Sequence, residues 1–268
     1  MRNQLALTAL FLVTLPTWAG KRITMESVDL ETNKTTAREI LIDADRLRTN
    51  DGTRSVLFLS KGGNRLVLID KARNEYREID QATIQQMTQM MQGAVLQMQT
   101  QMKNMSPEQR AAMERMMGAV VNPPGTTVAT TTYTPKGSGT VNGFRCTNYD
   151  GGRAGTKMAE ICAATPADLK LSAADFQVVQ KLQEFAGTMV AALENTPMAS
   201  FVSVDQIAPK GINGYPVQVT SFTNGKATTR QSVKSVADAA LTDAEFSTGS
   251  ATKVDMPTMP GMGRGKNK

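Results

Sequence analysis

The sequence predicts an α+β fold: a curved antiparallel β-sheet packed against amphipathic helices. Three observations lead there. Short runs rich in Val, Ile, Leu and Tyr alternate with turn signals over residues 22–80, and again from about 128 to 164. Apolar residues recur at spacings of three, four and seven over 81–104 and 173–194, the period of a helix with one buried face. Neither β block has enough strands and apolar mass to enclose a core alone, so both are expected in one sheet.

The first nineteen residues read as an export signal. Arg2 supplies a short positive start, and Leu5 to Leu15 is an uncharged apolar run. Pro16 breaks that run, and Thr17-Trp18-Ala19 places small residues where a signal peptidase reads them, so cleavage is expected after Ala19. The expected organisation is a signal peptide at 1–19, one α+β domain at 20–254 with a Met/Gln-rich helical insert at 81–118, and a disordered basic tail at 255–268. No later segment has the apolar length of a membrane span. A soluble periplasmic protein is the expectation.

Within the domain, strands are expected at Ile23–Leu30, Ala37–Arg48, Ser55–Ser60, Leu66–Ile69 and Glu75–Ile79. Turn signals separate them at Thr32-Asn33-Lys34, Asn50-Asp51-Gly52, Lys61-Gly62-Gly63-Asn64 and Asp70–Asn74. Links this short permit only hairpins, hence an antiparallel meander. Asp43 and Asp45 alternate with Ile40, Ile42 and Ala44, so they read as a solvated strand face, with Arg46 and Arg48 likewise exposed. The pattern changes at Asp80. Ile84, Met91, Val95, Met98, Met102 and Met105 form one apolar stripe of a helix over 81–104. Ser106-Pro107-Glu108-Gln109 then has the form of a capping box for a second helix to about Gly118.

After a linker at Asn122–Thr127, the second β block holds both cysteines. Cys146 and Cys162 flank a Gly-rich turn at Asp150–Gly155. Strands paired about that turn bring the two together, and an exported chain favours their disulfide. Ser172 and Asp175 cap a third helix lined by Phe176, Val179, Leu182, Phe185, Met189 and Leu193 and ended near Pro197. Strands follow at Phe201–Ile207 and in a hairpin from Tyr215 to Val236, where Thr223-Asn224-Gly225-Lys226 is a type I′ signal.

Composition narrows the function. The chain has no histidine. That removes His-dependent nucleophilic triads, imidazole bases and His-ligated metals. No catalytic constellation is recognisable, no cofactor motif occurs, and no enzyme activity is expected. The net charge of +6 comes without any RNA motif or recognition helix, so nucleic acid is not an expected partner. Nine of the 17 methionines lie between Met87 and Met117. Thioethers suit Cu(I), but helical spacing favours an adaptable apolar surface. Such a surface over a curved sheet would accept a variable greasy ligand. The alternatives are a Met-rich copper-binding or envelope-stress protein, or a protein-interaction module.

The order of strands, a Met/Gln helix with SPEQRAAMERMMG, then TVNGFRCTNY and EICAATPADLKL, resembles a family of uncharacterised proteobacterial periplasmic proteins, domain of unknown function 4412. That family looks similar in architecture to the LolA/LolB lipoprotein carriers. The resemblance implies a half-barrel closed by helices around an apolar cavity, with a lipid, acyl chain or lipoprotein as ligand. Arg48, in DADRLR, stands roughly where those carriers keep a strand arginine near the cavity mouth. The expected ligand-binding set is therefore Ile84, Met91, Val95, Met98, Met102, Met105 and Arg48.

Overall fold

The computed structural model describes residues 19–103, 105–106, 108–109, 131–194 and 211–255. Among these residues, twelve strands form one sheet in the order β12-β6-β5-β4-β3-β2-β1-β11-β10-β9-β8-β7. The first meander is β1 (Ala19–Asp29), β2 (Thr35–Ile42), β3 (Arg46–Asn50), β4 (Arg54–Leu59), β5 (Arg65–Asp70) and β6 (Glu75–Asp80). The second is β7 (Thr132–Val141), β8 (Phe144–Arg153), β9 (Thr156–Ala164), β10 (Tyr215–Thr223) and β11 (Lys226–Ala240). Antiparallel pairing of β1 with β11 joins the two blocks into one sheet, as their size demanded. A two-residue β12 (Thr252–Lys253) adds parallel to β6 at the edge. Among the described residues the far edge is β7, and nothing closes the sheet back on β12. Register shifts in β1/β11, β9/β10, β10/β11, β7/β8 and β8/β9 bend and twist such a sheet.

Among the described residues, two long helices accompany it. α1 (Gln81–Lys103) follows β6 without a loop, because Asp80 caps it. The Asp80 carboxylate accepts the Thr83 N–H at 2.8 Å and the Thr83 hydroxyl at 2.7 Å. α2 (Ala173–Glu194) starts from the expected box. The Ser172 hydroxyl accepts the Asp175 N–H at 3.1 Å, and the Asp175 carboxylate accepts the Ser172 N–H at 2.9 Å. The Ser106/Gln109 box also forms, with mutual contacts of 3.2 and 3.3 Å. The rest of that expected helix, the strand at 201–207, the signal segment 1–18 and the tail from 256 lie outside the described residues.

The turns expected in the first meander are present, and one was missed. The expected strand Ala37–Arg48 is two strands broken at residues 43–45. Asp43 makes the break. Its carboxylate accepts the backbone N–H of Arg46 at 3.0 Å and of Asp45 at 3.3 Å, so the aspartate supplies the turn itself. Asp43 is buried at 5% exposure, which corrects the solvated-face reading. The hairpin at Asn224-Gly225 has φ of 52° and 77°, the left-handed pair a type I′ turn requires.

The second block corrects the cysteine geometry. The turn is only Ala154-Gly155, and residues 150–153 belong to β8. A plain hairpin about that turn would place Cys146 opposite Ala163, with Cys146 and Cys162 on opposite faces. A bulge between Gly151 and Gly152 adds Met158 to β9. Asn148 now stands opposite Cys162, and Cys146, two residues along, shares that face. The disulfide forms, with Cα atoms 5.4 Å apart.

Candidate functional site

The first meander has two apolar faces, and the alternation of residues separates them. Ile40, Ile42, Leu47, Phe58, Leu66 and Ile79 share the face that α1 and α2 cover. Leu41, Leu57, Val67 and Ile69 occupy the other.

On the helix side, α2 contributes Val178, Val179 and Phe185, and α1 contributes Ile84. The Phe58 and Phe185 rings meet at 6.1 Å between centroids. The disulfide joins the same cluster. Among the described side chains, α1 packs over its first two turns. Ile84 is buried, and from Gln89 onward each described side chain is exposed, including Met90 at 45% and Leu96 at 63%. The helix carries no charge from Gln81 to Gln101, so what it presents there is neutral amide and apolar surface. Around the buried cluster lie half-buried Met25, Val56 and Leu68 from the sheet, with Leu182 and Met189 from α2.

Two polar side chains stand at the margin of this face. Arg38 lies two residues before Ile40 on β2, opposite Met25 of β1, so it points to the helix side. Tyr215, the first residue of β10, packs against the same cluster. Burial pushes its phenol up to about 12, with the charge of Arg38 acting against that rise.

The other face is closed by a segment that sequence reasoning missed. Residues 241–255 cross it. Leu241 and Phe246, each 5% exposed, pack on Leu41, Leu57, Val67 and Ile69. A short 3-10 turn at Asp243–Phe246 carries Phe246, capped by Thr242 and Glu245. Arginines fasten it. The Arg46 guanidinium sits 4.4 Å over the Phe246 ring and bonds Asp43 at 2.9 Å and Asp243 at 2.6 Å. Burial opposes its charge, yet Asp43 and Asp243 hold it above its usual value. Arg48 donates to the carbonyls of Glu245 at 2.7 Å and Ser247 at 2.9 Å, and to the Ser55 hydroxyl at 2.7 Å. Burial lowers its pKa, with Glu245 pulling the other way. Thr242-x-x-Glu245 followed by Phe246 was the available signal: a capping box before an isolated aromatic.

These placements divide the expected ligand set. Ile84 is in the helix-side cluster. Arg48 is on the opposite face under the C-terminal segment, so the two do not share a site, and neither Arg46 nor Arg48 is the exposed side chain expected. Parity gave the answer in advance, since Leu47 is the inward residue of that strand. Met105 is half-buried just beyond α1. The side chains of Met91, Val95, Met98 and Met102 lie outside the described residues.

A separate pocket of 290 Å³ is lined by Lys136, Asn148, Asp150, Glu160, Cys162 and Gln218, among others. Asp150 and Glu160 are directly opposed across β8 and β9, a repulsive pairing on its own. Lys157 relieves it, reaching Asp150 at 3.5 Å and also pairing with Glu160, while Lys136 reaches Asp150 at 3.3 Å. This is a neutralised ion cluster on a mainly polar lining that also includes Tyr149 and Ile161. Among the described residues no group of three or more His, Cys, Asp or Glu could hold a metal ion.

No family model matches the chain, so the resemblance to domain of unknown function 4412 has no family match behind it. No curated protein matches either. Several solved structures align at low similarity. An uncharacterised conserved protein from Thermus thermophilus aligns with a TM-score of 0.41 and 9% identity over 89% of this chain and 91% of its own. MucB in the Pseudomonas aeruginosa MucA/MucB complex aligns with a TM-score of 0.34 and 10% identity over 88% of this chain, which spans 57% of that one. A putative outer membrane lipoprotein-sorting protein domain from Vibrio parahaemolyticus gives 0.26 and 8% identity over 86% and 90%. No described helix is long and apolar enough to cross a membrane.

Proposed function

We propose that this protein is a periplasmic binding or carrier protein for an apolar ligand, a lipid, acyl chain or lipoprotein, taken up between the sheet and its helices. One observation carries the reading. The helix-side face of the sheet is apolar beyond what the packed turns of α1 and α2 bury, leaving Met25, Val56 and Leu68 of the sheet, with Met189 of α2, half-buried around a closed core. α1, uncharged from Gln81 to Gln101, continues past that core with Met90 and Leu96 exposed. Soluble chains seldom leave such surface without a use for it. The disulfide stiffens the opposite end of the same cluster, which leaves the α1 side as the part free to yield. The residues here bind and shield; catalysis plays no part in the reading. The fitting ligand has a flexible hydrocarbon chain, because methionine surfaces adapt to variable apolar shapes.

A fluorescent fatty acid titrated into the purified mature protein tests this. A saturable blue shift, reversed by unlabelled long-chain lipid, is the expected result. Absence of any saturable signal refutes the reading. Met25→Glu and Leu68→Glu, which place charge on the half-buried face, should weaken binding by at least tenfold while the exposed Arg73→Glu does not.

A further inference from the structure

We propose that the cavity over β7–β10 is a binding site for a neutral polyhydroxyl group, a sugar ring or a glycerol unit, held by Lys136, Asn148, Glu160 and Gln218. The site goes beyond the apolar-ligand reading and does not depend on it.

β1 to β6 pair in continuous register. Around the cavity, by contrast, three strands each carry one extra residue: Lys136 in β7, Met158 in β9 and Val217 in β10. Such bulges re-aim side chains. Val217 enters the core while Gln218 beside it lines the cavity. The extra Met158 lets Lys157 pair with Glu160 three positions on, which strict alternation would set on the opposite face. Lys136 reaches across to Asp150 at 3.3 Å. Two glycines leave the β7 side bare. Gly137 stands opposite Asn148 with open space where a Cβ would be, and a Cβ at Gly139 would lie 2.7 Å from the Asn148 amide. Asp150 and Glu160 oppose each other directly. Bulges, interior glycines and opposed like charges each weaken a sheet. Their concentration around one cavity marks a place where the sequence serves something other than stability.

The ligand's class follows from the lining. The ammonium groups of Lys136 and Lys157 balance the carboxylates of Asp150 and Glu160, so no net charge selects an ion. Lys157 stands between the two carboxylates, where a metal ion would have to sit. The remaining bonding capacity is of both kinds. Lys136 meets Asp150 and keeps further N–H groups to donate. Asn148 and Gln218 each donate an amide N–H, to the Ser138 carbonyl and the Ser232 hydroxyl, and keep their carbonyl oxygens to accept. Glu160 keeps its second carboxylate oxygen. A hydroxyl donates and accepts at once, so adjacent hydroxyls on one ring answer an alternating lining. A carboxylate, phosphate or amine answers only half of it. At 290 Å³ the cavity is at the small end of ligand sites, the scale of one sugar ring.

The test titrates glycerol and the methyl glycosides of glucose, galactose, mannose and N-acetylglucosamine into the mature protein, read by amide chemical shifts. Glucuronate and glucosamine are the charged comparisons. At least one neutral probe should give saturable shifts centred on β7–β10, and neither charged sugar should bind more tightly. Glu160→Gln and Lys136→Ala should each weaken that binding about fivefold or more, the scale of a hydrogen bond to a charged group. Glu31→Gln, which alters the separate surface pair with Lys226, should leave it unchanged. Absence of saturable shifts with all five neutral probes overturns the site. So does binding that neither cavity substitution alters, or a charged sugar binding tenfold more tightly than every neutral one. The Lys136 side chain is 59% exposed, so Lys136→Ala decides if Glu160→Gln does not fold. Octyl glucoside below its micellar concentration separates the sources. Tighter binding than methyl glucoside, lost in Met25→Glu, assigns the ring to a lipid head; equal binding assigns it to a free or protein-borne sugar. Failure of the site leaves the apolar-ligand reading, measured with the fluorescent fatty acid, standing.

Discussion

Replacing Phe246 by alanine should unfold the protein at markedly lower urea. Phe246 is 5% exposed and packs on Leu41, Leu57, Val67 and Ile69, so its loss opens a cavity on the second face. Buried Phe→Ala changes cost about 3–5 kcal/mol. The site borders a surface turn that can settle inward, which favours the lower end. Arg46 also loses the ring 4.4 Å beneath it, worth about 0.5–1 kcal/mol, but keeps Asp43 and Asp243. The sum is about 3–4 kcal/mol. With a urea slope of roughly 3 kcal/mol/M for a chain of this size, the midpoint should fall by about 1 M. Phe246→Leu, which refills most of the space, should recover more than half. Circular dichroism across a urea series measures both. A fall under about 0.2 M, the range of an exposed position, would refute the claim that the C-terminal segment closes the second face.

Three further outcomes are expected. Reducing the Cys146–Cys162 bond, which spans 16 residues, should cost about 3 kcal/mol through loop entropy and lower the urea midpoint, whereas the same reductant should leave a Cys146→Ala/Cys162→Ala variant unaffected. Tyr215, pushed up to about 12, favours the folded state fully below pH 10; as pH rises the unfolded phenol ionises first, so roughly 2–3 kcal/mol of stability should disappear between pH 10 and about 12, and Tyr215→Phe should flatten that slope in alkaline unfolding curves. Asp80→Ala should cost about 1 kcal/mol by uncapping α1. Because the Thr83 N–H and hydroxyl hold the Asp80 carboxyl below its usual value, the cap's contribution is present above the ordinary carboxylate range and should fade as acid protonates it, visible as loss of helical ellipticity.

Local chemistry was the legible part of this chain. Capping boxes at Ser172/Asp175 and Ser106/Gln109 and the type I′ turn at Asn224-Gly225 depend on residues within three positions, and each forms as expected. The short links of the first meander likewise left pairing no freedom. What depended on parity was harder. Asp43 hides inside an alternating run because an aspartate can be either a solvated strand residue or the acceptor that makes a turn. Arg48 was drawn towards a cavity although Leu47 beside it is the inward residue. Arg38, which does face inward, carried no local mark. The bulge at Gly151/Gly152 decides whether the cysteines share a face, and a one-residue insertion in pairing leaves no periodic trace. The C-terminal closure was overlooked because a sheet with one buried face was assumed, and Phe246 needed a second apolar face to be understood.

The most direct test of the central claim is native mass spectrometry of the mature protein purified from the envelope without detergent. Binding of an apolar ligand on the helix side predicts a population heavier than the polypeptide by a lipid-sized mass, released by organic extraction and depleted in Met25→Glu. A bare polypeptide mass in all preparations, with none gained on incubation with acyl-chain lipid, would contradict it.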